Sequence, residues 1–146
     1  MTDKVFVDTN ILVYANDIDA GHKQQIATTR IADLWKTRAG VISTQVLQEF
    51  YVTVTRKIPS PLPFDIARSL LADYSVWQVE IARPETVLAA SEIEERYQLS
   101  FWDALIVAAA AQGRADVLLT EDLNSGQTIE GVRIENPFDV AALPNT

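Results

Sequence analysis

The chain has 146 residues, 48% hydrophobic and 22% charged, a balance expected of one globular domain large enough to bury a core without staples. It contains no cysteine, which excludes a disulfide framework and a thiolate metal site and is compatible with a reducing, cytoplasmic setting. Net charge is −8, and it is lopsided: residues 1–73 carry 8 basic and 8 acidic side chains, residues 74–146 carry 4 and 12. Such a chain lacks an overall electrostatic footprint for nucleic acid, which would need a bound metal or a local basic patch to approach.

The start, MTDKVFVDTN, has too short an apolar run and too early an acid for a secretory signal. The longest apolar stretch, ALIVAAAA (104–111), is far below spanning length, so a soluble protein with no membrane partner is expected. Residues 4–7 (KVFV) read as a short strand, ended by the helix-capping types Asp8, Thr9 and Asn10. Ile26, Ile31, Leu34 and Trp35 recur at helical spacing within 22–38, and Gly40 is expected to end that helix before a brief strand, VIS (41–43). Val46, Leu47, Phe50 and Val54 form one face of a helix from about Thr44 to Arg56. IPSPLP (58–63) is a proline-punctuated loop, followed by a helix from Phe64 to Tyr74.

WQVE (77–80) predicts a strand, and Pro84 fits the first position of a helix reaching about Tyr97. Ser100 caps an apolar helix over 101–112 that Gly113 terminates. DVLLT (116–120) and VRIE (132–135) complete the strands, with a turn at Gly131 and a short C-terminal segment after the last. Strands alternating with helices imply an α/β fold with a parallel, helix-covered sheet. In such sheets ligands sit outside the carboxyl ends of the strands, where Asp8 and Asp122 would lie.

Four acids stand where an apolar segment ends or a helix turns polar: Asp8, Glu49, Asp103 and Asp122. Each has an ordinary alternative. Asp8 could be a turn or cap residue, and Asn10 could be that cap instead or orient Asp8 through its amide. Glu49 flanks the Val46, Phe50, Val54 face, where a carboxylate is usually solvated. Asp103 shares a face with Ile106, Val107 and Ala110 on a helix apolar all round, so it must be paired, hydrogen-bonded or metal-bound; Ser100-x-x-Asp103 also matches a capping box. Asp122 is preferred to Glu121 because Thr120 lies two residues before it.

Taken together, the four predict one oxygen-rich cluster at the sheet edge, close enough to share an ion. Clustered carboxylates repel one another, and a hard divalent cation removes that conflict. Mg²⁺ or Mn²⁺ would also polarise a phosphoryl oxygen and acidify a water molecule, which makes metal-dependent hydrolysis the leading reading. His22 reads as an ordinary exposed residue. Trp35, Trp77 and Trp102 could stack on bases, but Trp35 and Trp102 fall in helical patterns that read as core, and the five scattered glycines form no phosphate-binding loop.

The ordered set VDTNILVYA (7–15), QEFY (48–51), FWDALIVAAA (101–110), LLTEDL (118–123) and GVRIENPF (131–138) resembles the PIN-domain family, especially its VapC-type toxin ribonucleases. The resemblance covers nearly the whole chain and implies a single PIN-like domain over 1–146, a three-layer α/β/α fold around a parallel sheet. By that resemblance Asp8, Glu49, Asp103 and Asp122 would be the catalytic acids and metal ligands. Asn10 and Thr120 would be polar members of the same pocket, and Ser43 a neighbour of it. The resemblance further implies cleavage of single-stranded RNA with Mg²⁺ or Mn²⁺, pairing into a homodimer, and a cognate antitoxin that blocks the site from a groove between helices. Ser125 and Gln127 receive no role.

Two other readings compete. A phosphatase of haloacid-dehalogenase type also opens on an apolar strand ending in Asp, but wants a second acid where this chain has Asn10. A non-catalytic PIN-like binding module would use the helical grooves alone, yet has no physical need for four clustered carboxylates.

Overall fold

The computed structural model describes residues 2–139; the rest of the expected C-terminal segment lies outside the described residues. Strand β1 (Val5–Val7) is followed by α1 (Thr9–Ala15), α2 (His22–Thr37), β2 (Gly40–Ser43), α3 (Thr44–Arg56), α4 (Phe64–Tyr74) and β3 (Gln78–Glu80). Then come α5 (Pro84–Tyr97), α6 (Phe101–Gln112), β4 (Val117–Leu119), β5 (Thr128–Ile129) and β6 (Val132–Glu135).

The strands form one sheet in the order β3-β2-β1-β4-β6-β5, parallel except for the β5–β6 pair. From β1 the chain winds outward through β2 to β3, then returns across the sheet to β4 and continues to β6 on the other side. Right-handed crossovers in opposite directions place their helices on opposite faces. Thus α1 to α4 cover one face, with α1 packed on α2 and α3, and α5 and α6 pack together on the other. The result is the expected three-layer α/β/α arrangement, with its switch point between β1 and β4.

The core lies between the layers. Phe6, Val7, Ile42, Leu118 and Leu119 are buried from the sheet, Val46, Phe50 and Val54 from α3. Every residue of α6 from Ala104 to Ala110 is buried, as its unbroken apolar sequence requires. No helix of the described residues is long and apolar enough to cross a membrane.

Several local readings are corrected. Thr9–Ala15 is a helix the pattern does not announce, since seven residues are too few to show a period. Strand β5 has only two residues and is defined by its partner; Glu130 and Gly131 join it to β6, with φ of 51° and 80° matching the left-handed pair of a type I′ hairpin. Gly40 does not end α2. The cap there is Arg38 in the left-handed region, and Gly40 opens β2, where an added Cβ would meet the Trp77 ring at 2.5 Å. Gly113 caps α6 at φ −78°, and Arg114, not the glycine, takes the positive φ. Trp35 and Trp102 are not core: they are 40% and 63% exposed. Trp35 lies across Tyr74 and edge-on to Trp77 at the end of the helical layer, while Trp102 opens onto the cleft described next.

Candidate active site

Asp8 follows the last residue of β1 and remains in the ladder, its N–H donating to Leu119 O at 3.0 Å. Its side chain caps α1, Oδ1 accepting from the Thr9 N–H at 2.7 Å. Oδ2 accepts from the Thr120 hydroxyl at 2.8 Å. Asp8 is therefore both the cap and a site residue, and Thr120, not Asn10, orients it. Thr120 is wholly buried beneath it.

Chain direction at β4 brings in the second acid. Just past Leu119, the Asp122 N–H donates to Thr120 Oγ1 at 3.1 Å, a local turn that replaces the strand continuation expected from the sequence. The Asn10 amide donates to Asp122 Oδ2 at 2.9 Å, and Asn10 Oδ1 is buried without a partner among the described residues. Glu121 turns the other way, pairing with Lys23 at 2.7 Å and accepting from the Tyr14 hydroxyl. Asp122 lines the cleft described below, and Glu121, engaged with Lys23 and Tyr14, does not.

Helices deliver the other two acids. Ser43 is buried and caps α3, its Oγ accepting from the Val46 N–H at 3.3 Å. With Val46, Phe50 and Val54 facing the core, Glu49 emerges at the edge of α3 and accepts from the Thr9 hydroxyl at 2.9 Å. Ser100 caps α6 by accepting from the Asp103 N–H at 3.1 Å. The return bond of a capping box is not made, so the Asp103 carboxylate is left for the cleft.

Asp8, Glu49, Asp103 and Asp122 line one cleft of about 630 Å³, together with Thr9, Asn10, Gln45, Lys57 and Trp102. Thr120 lies behind Asp8, whose carboxylate it bonds, while Ser43 is not among the lining residues and bonds only the α3 backbone among the described contacts. Burial raises the Asp8 carboxyl from 3.8 to about 7 against the pull of Thr120 and Thr9, with repulsion from Asp122 and Glu49 adding to it. Asp122 is also raised, by burial and then by Asp103, Glu121 and Glu49 against the opposing Asn10 bond. Each of the four thus shares an electrostatic neighbourhood with at least one other. They form an open set, however, and the expectation of four acids close enough to share an ion is corrected: among the described residues no three acids stand as a ready metal-binding group, because they rise from separate walls of an open cleft. Three of the four are engaged by the Thr120, Asn10 and Thr9 side chains. Of the residues surrounding the acids, Gln45 and Lys57 had no sequence signal beyond helical phase with Glu49, Thr9 was read only as a capping type, and Trp102 was read as core in preference to a base-stacking ring.

The PIN domain model matches residues 5–127. No curated protein matches the sequence. Among solved structures, the chain is similar to a toxin–antitoxin complex from Klebsiella pneumoniae, at 20% identity and a TM-score of 0.68 over 93% of this chain and 99% of that one. It is also similar to VapC20 of Mycobacterium tuberculosis, described as a sarcin–ricin loop cleaving toxin, at 20% identity and a TM-score of 0.61 over 78% and 86% of the two chains. A third is VapBC2 of Rickettsia felis bound to a DNA fragment from its promoter, at 22% identity and a TM-score of 0.62 over 90% and 97%. With a family match that spans most of the chain and a sheet whose switch point carries the acids, this protein belongs to the PIN domain family.

Proposed function

We propose that the protein is a metal-dependent endoribonuclease that cuts single-stranded RNA and acts, from the cytoplasm, as the toxin of a toxin–antitoxin pair. The observation that carries the reading is the meeting of four carboxylates from four segments in one cleft at the switch point. The toxin assignment takes further support from the likeness to the Klebsiella, Mycobacterium and Rickettsia structures.

By the chemistry of its donors, though the acids stand as an open set, the site fits a hard cation. The donor set is oxygen alone, Asp8 is held in a state that a nearby positive charge would relieve, and the Asn10 carbonyl oxygen lacks a donor among the described residues. Asp8, Glu49, Asp103 and Asp122 would hold Mg²⁺ or Mn²⁺. When bound, such an ion supplies charge to a phosphoryl oxygen and makes a nearby water more acidic. The chain's own contribution is positioning: Thr120 fixes Asp8, Asn10 fixes Asp122, and Thr9 fixes Glu49. The reading carries both a cognate antitoxin and a self-paired form, checked by copurification and by mass in solution.

The test is cleavage of structured cellular RNAs by the wild type and Asp8→Asn, purified without any partner and given Mg²⁺ or Mn²⁺. Wild type should cut and arrest growth when expressed alone, chelation should stop cleavage, and Asp8→Asn should do neither. Equal cutting by both would reveal a contaminant. No cutting by either, with metal bound, would move the assignment to a binding module.

A further inference from the structure

Trp102 occupies the first turn of α6 beside Asp103 and is 63% exposed, whereas every residue from Ala104 to Ala110 is buried. An indole left open to water at the mouth of a cleft forgoes burial that most tryptophans obtain. The surrounding structure supports it. Phe101 packs edge-on against it with ring centroids 5.3 Å apart. The Gln45 amide donates to the Trp102 carbonyl at 3.5 Å, tying the start of α6 to the start of α3. Gln45 Oε1 is buried and has no donor among the described residues, and Gln48, which is exposed, lines the same cleft. An aromatic ring and the exposed Gln48 amide therefore stand in the same cleft as the carboxylates.

Charge leaves this face a task. The cleft is lined by Asp8, Asp17, Glu49, Asp103 and Asp122 against one lysine, Lys57. Attraction for phosphates, which usually dominates nucleic-acid affinity, is weak there even with a divalent ion in place. Base stacking needs no charge and accepts every base, because each has a π-face. We infer that Trp102 is the stacking platform for the nucleobase adjoining the scissile phosphate, with the exposed Gln48 offering its amide to the base edge and Gln45 holding the Trp102 backbone. The inference rests on the nuclease reading above and assigns it a residue that determines substrate affinity.

The experiment uses Asp8→Asn protein, free of any partner and supplied with Mg²⁺, titrated with single-stranded poly(U) and with an abasic ribose-phosphate polymer of the same length. Stacking predicts that the abasic polymer binds roughly tenfold more weakly. Adding Trp102→Ala should weaken poly(U) by a similar factor and close most of that gap, and Trp102→Phe should restore part of it. Poly(U) should quench tryptophan emission, and the quench should shrink in Trp102→Phe. In the otherwise wild-type enzyme, Trp102→Ala should raise KM more than it lowers kcat. If Trp102→Ala binds both polymers as its parent does, the inference is overturned and the nuclease reading stands. A Trp102→Ala protein that keeps its RNA affinity but loses a copurifying protein partner also overturns it, because the ring then serves a protein contact. A wild type that neither binds nor cuts RNA with Mg²⁺ removes the nuclease reading and the stacking platform together.

Discussion

At Asp8 two requirements conflict: the strand end buries the carboxylate, and the cleft surrounds it with other acids. Its carboxyl rises from 3.8 to about 7 in consequence. A carboxyl raised by folding stabilises the folded state fully below pH 3.8, where both states hold the proton, and that contribution is lost as pH climbs through about 7. Metal-free protein should therefore lose on the order of 4 kcal/mol from this group across that window, followed by denaturant unfolding at a series of pH values. Asp122 shifts in the same direction and adds to the slope. Asp8→Asn should flatten the profile and leave the protein more stable than wild type at neutral pH, since a carboxamide still caps α1 through its oxygen and carries no charge. A wild-type profile that instead rises between pH 4 and 7 would contradict a buried, repelled Asp8. Mg²⁺ should raise the melting temperature most at neutral pH, because an ion that binds only the folded state stabilises it; Asp103→Asn should diminish that rise.

Elements place the acids, and their caps and close packings can be tested apart from the chemistry. Ser43 is buried as the cap of α3, the helix that presents Glu49. Ser43→Ala should cost about 1 kcal/mol in denaturant unfolding while leaving kcat close to wild type well below the melting temperature. A large loss of kcat with stability intact would make Ser43 a member of the reacting site instead. Gly40 opens β2 under the Trp77 ring, where an added Cβ would sit 2.5 Å from it. Trp77 is itself wedged against Trp35 and Tyr74, with centroids 5.3 and 5.5 Å away, so it has little room to retreat. Gly40→Ala should destabilise by roughly 1–3 kcal/mol, read as a lowered denaturation midpoint at unchanged slope.

For the whole molecule, the balance of charge governs how RNA is approached. The chain carries −8 overall, and Lys57 in the cleft makes no ion pair among the described residues. Binding of single-stranded RNA should therefore depend only weakly on salt, with a logarithmic slope of about −0.7 for each phosphate neutralised. Lys57→Ala should lower that slope by about one such increment, measured as affinity against salt concentration. A steep slope typical of basic nucleases would show that a surface other than this cleft carries the RNA.

Much of this was legible in the chain itself. Alternating apolar runs and caps marked the parallel α/β sheet, because burial on both faces demands continuous apolar strands and each cap residue must satisfy free N–H groups. Asp8, Glu49, Asp103 and Asp122 stood out because a carboxylate at the end or edge of an apolar segment calls for an explanation. What the linear pattern could not determine was which neighbours engage them. Thr9 reaches Glu49 across 40 residues, and Asn10 and Thr120 exchange the partners that proximity suggested, each bonding an acid 112 positions away. Trp102 shows the limit most clearly. Its helix is apolar on every side and so read as core throughout; only the packing of the layers, which buries Ala104 to Ala110 and leaves the start of α6 at the cleft, exposes the Trp102 ring.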